Sequence, residues 1–504
     1  MLAQVHSFVL QGIDPIACEV EVDVAEQSLP KTTIVGLPDA AVRESIERVR
    51  SAITNSGYPF PMSRLLVSLA PGDVRKEGPI FDLPIAVGLL LAGQVIQTQR
   101  HRKLLFAGEL ALDGRLRPIS GVINLALLAR KLEMEGVVVP VENADEAAAV
   151  AGVEVYPADA LASVVGFLNG QHEIEPLAAE PDPQLHGEVR ASVDFADIRG
   201  QEAVKRAATI AAAGGHNLLM IGPAGTGKTM VAKALAGILP PLSRDEALAV
   251  TRIYSAIGQV PKGQSLIRRR PVRTPHHTAS NAALIGGGTV PRPGEVSLAH
   301  HGVLFLDEIP EFPKQVLETL RQPLEDGCVT IARAHSSVKF PARFMMVAAM
   351  NPTPQGDTPR DEVSHRQMQR YLGRLSGPLI DRIDIHVEVP PVPYHQLTSS
   401  RDGTDSASLR RRVLAARRVQ TERNGGTLRP NSTLTGRELN RFAALDDPSK
   451  ELLKQAMTEL NLSARAYDKV RRVARTIADV EGAEKIEMPH LAEAIQYRLL
   501  DREM

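Results

Sequence analysis

A chain of 504 residues, 43% hydrophobic and 23% charged with a formal net charge of -1, is too long for one ordinary core and has neither a collagenous nor a disordered composition. The near-neutral balance excludes a surface that is basic throughout, although a basic stripe or pore is compatible with such a total. Two cysteines, Cys18 and Cys328, stand in no CxxC spacing, which excludes a disulfide framework and a cysteine zinc site and fits a reducing compartment.

Taken in chain order, residues 1–170 mix short strands with helices and predict a first domain. The N-terminal MLAQVHSFVLQG has no basic leader, and the apolar run Ile85 to Ala92 is too short for a bilayer, so a cytoplasmic protein without a membrane partner is expected. Residues 171–191, Pro- and Glu-containing and without periodicity, predict a linker. Across 192–390 strands alternate with helices. The apolar runs Leu218 to Ile221, Val303 to Leu306 and Phe344 to Ala349 predict buried parallel strands, hence an α/β domain. A second linker, 391–408, precedes a helical domain over 409–504, with a capping start at Thr435 (TGRE) and helical apolar spacing through Leu452 to Leu462.

The stretch GPAGTGKT, Gly222, Pro223, Ala224, Gly225, Thr226, Gly227, Lys228 and Thr229, follows the apolar NLLMI and leads into the helical MVAKALAGIL. This is the strand, loop and helix order that the GxxxxGK[ST] phosphate loop requires. Glycines let the backbone curl so that successive N–H groups and a helix N-terminus face phosphate. In that reading the loop binds ATP, Lys228 reaches the β- and γ-phosphates, and Thr229 is a ligand of Mg²⁺.

VLFLDE, Val303 to Glu308, ends a buried strand in two carboxylates. Asp307 is expected to hold Mg²⁺ and Glu308 to polarise the attacking water. FMMVAAMN ends in Asn351, a neutral amide suited to orienting that water; a capping Asn before Pro352 is the alternative.

Two histidine pairs, His276-His277 and His300-His301, lack the spacing and companion ligands of a zinc site and read as helical-hairpin or nucleotide-site architecture, their rings on opposite faces if they lie on strands. Arg268-Arg269-Arg270 reads as a phosphate contact or as a solvated loop. Arg410 to Arg412 with Arg417 and Arg418 read as a solvated helical face. With only 4% aromatic residues and no Trp, DNA contact would be electrostatic rather than by base stacking.

Along nearly its whole length the chain resembles the magnesium-chelatase-like AAA+ ATPases, and among them the bacterial ComM/YifB type. The resemblance is carried by RTPHHTAS (Arg273 to Ser280), ALIGGG (Ala283 to Gly288), PGEVSLAHHGVLFLDEIPEF (Pro293 to Phe312), AAMNPTPQG (Ala348 to Gly356) and SGPLIDRIDIHVEV (Ser376 to Val389). It implies that Arg382, in LIDRID, is an arginine finger reaching a neighbouring subunit's γ-phosphate, and hence a homo-oligomer, a hexameric ring. The alternative for Arg382 is an ion pair with Asp381 or Asp384. Arg465, in LSARAYDKVRRVAR, matches the second sensor of the helical domain, although Arg471, Arg472 and Arg475 on the same helix also read as a solvated basic face.

The N-terminal segment resembles the Lon protease domain, an α+β fold of the ribosomal S5 domain 2-like type, in KEGPIFDLPIA (Lys76 to Ala86) and in GELALDGRLRPISGVINLALLARKLEMEGVVVPVEN (Gly108 to Asn143). Ile80 and Ile123 occupy the places of the Ser and Lys of an active protease. Neither side chain can act as nucleophile or base, so an inactive module is expected. The resemblance implies an ATP-driven hexameric DNA motor, acting on single-stranded or branched DNA and promoting branch migration during recombination of transforming DNA. A metal-chelatase motor subunit and a protein-remodelling chaperone are the alternatives. Chelatase motor subunits are expected to lack the N-terminal segment.

Overall fold

The computed structural model describes residues 1–25, 29–177, 193–333, 336–353, 366, 371–394, 404–460 and 462–498. Residues 178–191 and 395–403 of the two expected linkers, and 354–356 of the AAMNPTPQG stretch, lie outside the described residues. The chain divides into two compact units, Met1–Leu185 with Ser243–Arg268, and His186–Leu242 with Arg269–Met504.

The first unit is built on a mixed seven-stranded sheet. Its strands are β1 (Leu2–Gln11), β2 (Asp14–Ala25), β3 (Lys31–Val35), β4 (Arg64–Ala70), β5 (Leu104–Phe106), β6 (Gly136–Pro140) and β7 (Glu154–Ala158), in the order β3-β4-β2-β1-β5-β6-β7. Neighbours β1 and β2, and β2 and β4, run antiparallel; the remaining pairs are parallel. The antiparallel pairing explains the alternation in β2, where Cys18, Val20, Val22 and Val24 are buried between Glu19, Glu21 and Asp23.

Helix α1 (Ala40–Asn55) buries Val42, Ile46, Val49 and Ile53 on one face, and Asp39 caps it by accepting from the Val42 N–H at 2.8 Å. All eleven residues of α2 (Asp82–Ala92) are buried. This accounts for the apolar run at 85–92 as the core of a globular unit, and among the described residues no helix is long and apolar enough to cross a membrane. Three further helices, α3 (Val122–Lys131), α4 (Val141–Ala148) and α5 (Leu161–Leu168), complete the N-terminal stretch.

The second unit carries a five-stranded, wholly parallel sheet, preceded by helix α6 (Glu202–Gly214). Strand β8 (Leu218–Ile221) leads through the glycine loop into helix α7 (Lys228–Ile238). From there the chain passes into the first unit, where helix α8 (Arg244–Ala256) lies on α3, and returns for β9 (Val272–Arg273), β10 (Val303–Leu306), β11 (Met345–Met350) and β12 (Ile385–Glu388). The sheet order is β9-β10-β11-β8-β12. Every residue of β10 and β11 is buried, the continuous apolar pattern of strands covered on both faces.

Within α8, Ser243 and Glu246 form a reciprocal capping box at 3.1 and 3.0 Å. The Gly121 N–H donates to the Ser255 carbonyl at 2.9 Å, and the Asn124 side chain donates to the Arg252 carbonyl at 3.2 Å and accepts from Arg252 Nε at 3.0 Å.

The C-terminal helices belong to the second unit. They include α9 (Ser406–Arg423), α10 (Gly436–Phe442), α11 (Asp447–Glu459), α12 (Ala464–Glu481) and α13 (Met488–Gln496). The expected start at Thr435 is present: the Glu438 carboxylate accepts from the Thr435 N–H at 3.2 Å. One apolar core joins these helices to the sheet, with Val413 and Ala416 of α9 and Val470, Val473 and Ile477 of α12 in the same cluster as Ala208, Leu218 and Val347. Burial of each valine, leucine or isoleucine among them contributes about 1.5–3 kcal/mol.

Candidate nucleotide site

The carboxyl ends of β8, β10 and β11 bring together the glycine loop, Asp307-Glu308 and Asn351, the place where open α/β sheets hold ligands. Gly225 and Gly227 adopt φ values of 76° and 92°, the left-handed region that lets the loop turn its N–H groups toward one point. Gly222 is constrained differently: a Cβ there would sit 2.2 Å from the Val389 carbonyl oxygen.

Lys228 is buried and uses its donors within the site, giving bonds to the carbonyls of Gly222 at 2.6 Å and Pro223 at 2.8 Å and to Asn351 Oδ1 at 3.1 Å. Burial pulls its pKa below the usual lysine value, opposed by the nearby carboxylates of Asp307 and Glu308. Thr229 Oγ1 donates to Asp307 Oδ2 at 2.9 Å, so hydroxyl and carboxylate lie together as a pair of hard oxygen donors. Thr226 closes the loop on itself through the Pro223 carbonyl at 2.9 Å. The Asn351 side-chain oxygen thus accepts from Lys228 in this structure.

Glu308 has φ 51°, an uncommon conformation for a non-glycine residue, and its N–H donates to Asp307 Oδ1 at 3.1 Å. Its Oε2 lies 3.6 Å from Nδ1 of His277, a residue for which the sequence left helical-hairpin and nucleotide-site architecture open. His277 also meets Phe312 edge to face, so the RTPHHTAS stretch reaches the acidic pair. Both histidine pairs lie outside strands, so the opposite-face rule does not apply to them, and ring centroids are 4.1 Å apart in His276-His277 and 4.0 Å in His300-His301.

The two arginines expected at the site sit apart from this hydrogen-bonded group. The Arg382 guanidinium pairs with Glu325, and with the Pro378 carbonyl, in place of the Asp381 or Asp384 partner weighed from sequence. Arg465 is exposed in the first turn of α12.

A solvated face is not what Arg471 and Arg475 form. Arg471 donates to the carbonyls of Leu439 and Ala443, and Arg475 to those of Ala483 and Glu484 and to Asp479, all at 2.7–3.2 Å. Arg270, one of the candidate phosphate contacts, gives its guanidinium to the carbonyls of Pro240, Pro241 and His301.

In the first unit, Ile123 is fully buried and Ile80 packs against both of that unit's apolar clusters. The nearest acid in sequence to Ile80, Asp82, is buried in a two-point pair with Arg48 at 2.8 and 3.0 Å. Burial raises its pKa and Arg48 opposes that rise.

A family profile described as "Magnesium chelatase, subunit ChlI" matches residues 194–397, and "Magnesium chelatase, subunit ChlI C-terminal" matches 403–498. A third, "Subunit ChlI of Mg-chelatase", matches 20–143, so the N-terminal segment does not by itself separate this chain from chelatase subunits.

Over 506 residues the chain is 44% identical to "Competence protein ComM" of Haemophilus influenzae, covering 99% of this chain and 98% of that one. It is 42% identical to "Uncharacterized protein YifB" of Escherichia coli over 504 residues, with the same coverage. Likeness to the "Magnesium-chelatase 38 kDa subunit" of Rhodobacter capsulatus is 26% over 230 residues, 42% of this chain and 60% of that one. A parallel-sheet phosphate-loop unit with a helical C-terminal region, and full-length likeness at these levels, mean that the chain belongs to the magnesium-chelatase-like AAA+ family, in the group of ComM and YifB.

Proposed function

We propose that this chain is the subunit of an ATP-hydrolysing ring, hexameric when working, that moves on single-stranded or branched DNA in the cytoplasm. Its task is to promote branch migration during recombination of transforming DNA. Family membership suggests ATPase activity, use of ATP and Mg²⁺, and oligomeric assembly. The observation that carries the motor reading is the linked group Lys228–Asn351 and Thr229–Asp307 at the carboxyl edge of the sheet. The role on DNA is supported by full-length likeness to a protein named for competence, against partial likeness to chelatase subunits.

The residues fit ATP and Mg²⁺. Lys228 holds carbonyl and amide oxygens that phosphate oxygens would replace, and the loop from Gly222 through Pro223, Ala224, Gly225, Thr226 and Gly227 offers backbone N–H groups at the start of α7. Thr229 and Asp307 would hold Mg²⁺, which supplies charge neutralisation across the β- and γ-phosphates. Glu308 would accept a proton from the attacking water, and Asn351 would orient that water once Lys228 turns to phosphate. Arg382 from a neighbouring subunit would neutralise the transferring phosphoryl group, and Arg465 would report nucleotide state to the helical region.

The N-terminal module has the Lon-protease-like, ribosomal S5 domain 2-like fold in this reading, inactive because Ile80 and Ile123 replace nucleophile and base.

The deciding experiment measures ATPase activity and three- or four-way junction migration for wild type, Lys228→Ala and Glu308→Gln at low salt. DNA-stimulated hydrolysis and junction movement in the wild type, both absent from the variants, are expected. ATPase indifferent to DNA, with no junction activity, would overturn the DNA motor and leave the chelatase-subunit and protein-remodelling readings.

A further inference from the structure

The turn that carries Arg382 is gripped from two directions by polar side chains. Asn217, immediately before β8, donates from Nδ2 to the Arg382 carbonyl at 2.9 Å and from its N–H to Asp384 Oδ2 at 3.2 Å. Its carbonyl accepts the N–H groups of Asp384 and Ile385, and its Oδ1 accepts that of Met346 on β11. One amide thus ties the turn to the strand before the glycine loop and to the strand ending at Asn351.

The second grip comes from the helical region. Lys469 of α12 donates to the Ile383 carbonyl at 3.2 Å and pairs with Asp384 Oδ1 at 3.0 Å. Arg498, just beyond α13, donates to the same Ile383 carbonyl at 2.6 Å. His216 Nδ1 lies 3.4 Å from Asp384 Oδ2, and its Nε2 is 2.9 Å from Thr476 Oγ1, again on α12.

Lys469 and Asp384 are each 9% exposed, Arg498 1% and His216 0%. Burial opposes ionisation of Asp384, but Lys469 and His216 outweigh it and hold the carboxyl well below its usual range. Buried ion pairs are often replaceable by apolar residues without loss of stability, so packing alone does not account for this one. What directed bonds add is a single arrangement of residues 382–384 against α12.

We propose that Lys469 is a positioning residue for Arg382, so that the angle of α12 sets where the guanidinium is offered to a neighbouring subunit. This rests on Arg382 acting in trans. A rotation of α12 changes the Ile383 and Asp384 contacts directly, one residue away from Arg382 and with no flexible segment between.

The test compares the full-length variants Lys469→Met, Lys469→Arg and Arg382→Ala, alone and mixed with Lys228→Ala, which lacks a working nucleotide site but retains Arg382. Lys469→Met is expected to lower kcat by about tenfold or more with KM for ATP within about twofold, and Lys469→Arg to restore most of it. Mixing with Lys228→Ala should raise the rate per Lys469→Met subunit by about threefold, because the neighbour then supplies a well-placed guanidinium.

Should Lys469→Met fail to fold, as judged by circular dichroism, the double variant Asp384→Asn/Lys469→Met leaves no orphan charge and carries the same expectations. If Arg382→Ala hydrolyses ATP normally, or is inactive and not rescued by Lys228→Ala, the trans reading fails and the proposal with it. If Arg382→Ala is rescued while Lys469→Met keeps its rate, or loses it without rescue, the positioning role alone is overturned.

Discussion

The guanidinium of Arg382 is paired with the carboxylate of Glu325 in its own chain. For Arg382 to act on another subunit's phosphate this pair must open. The Glu325 side chain is 52% exposed but that of Arg382 only 10%, so the pair is half-shielded from solvent and opening it costs more than the up to about 1 kcal/mol of a fully exposed pair. Glu325→Gln, which removes the charge but keeps the shape, should therefore raise ATPase at limiting protein concentration by about threefold or more. Arg382→Ala should lower kcat by about a thousandfold with ATP binding retained, and Arg382→Lys should restore little, since an ammonium lacks the planar fork. Steady-state ATPase against protein concentration, with binding of a fluorescent ATP analogue, measures all three.

Asn351 presents its oxygen to Lys228, 3.1 Å away. Removing it by Asn351→Ala takes one acceptor from a buried ammonium and, under the proposed function, one water-orienting group from the catalytic step. Because the Gly222 and Pro223 carbonyls remain, the lysine stays in place and ATP binding should change by less than about threefold. The loss should appear in kcat, about ten- to a hundredfold, with rate and affinity measured on the same preparation. A matching loss of affinity would mean that Asn351 serves only to hold Lys228.

The parallel strands were readable because a strand covered on both faces is a continuous apolar run, and the expected runs at 218–221 and 303–306 are strands with those limits. Phe344 to Ala349 is displaced by one residue, to Met345–Met350. The chemistry at the strand ends was equally local, since the loop and the acidic pair directly follow their strands. Less was readable wherever a partner is distant in sequence. Glu325 lies 57 residues from Arg382, and no spacing rule connects them. Arg471 and Arg475 read as solvated because a run of arginines usually is; carbonyls at 439–443 and 483–484 make their burial tolerable. Helix α8 is amphipathic whichever core receives it, and only tertiary packing assigns it to α3.

Glu146 gives that assignment a pH signature. Its buried carboxylate accepts from the Ile123 N–H at 3.0 Å and from the Ser255 hydroxyl of α8. Burial raises its pKa, opposed by Ser255, Ile123 and Asn143. A raised acid pKa means that the folded protein holds the proton longer than the unfolded chain. No stability difference arises below the ordinary glutamate range, and stability falls as pH rises from that range through the raised value. Glu146→Gln keeps an acceptor and never ionises. Its unfolding midpoint relative to wild type should therefore climb as pH rises above the ordinary glutamate range, and a flat difference would contradict the burial argument.

Two glycines of the phosphate loop should fail on substitution for different reasons, and the difference can be measured. At Gly225, with φ 76°, an added Cβ meets nothing within 4 Å, so the obstacle is backbone strain of about 1–2 kcal/mol for most residues. Asparagine tolerates the left-handed region, so Gly225→Asn should bind ATP within about fivefold of wild type while Gly225→Ala binds more weakly. At Gly222 the obstacle is the Val389 carbonyl oxygen 2.2 Å from the added carbon, a main-chain atom that cannot rotate away. Val389 follows β12, and its N–H donates to the Ile221 carbonyl at 2.7 Å, so relief of the clash must move the loop or separate β12 from β8. Both Gly222→Ala and Gly222→Asn should weaken ATP binding by about tenfold or more, with no advantage for asparagine. Equal behaviour of asparagine at the two positions would mean that the loop relaxes on binding nucleotide and that neither constraint governs affinity.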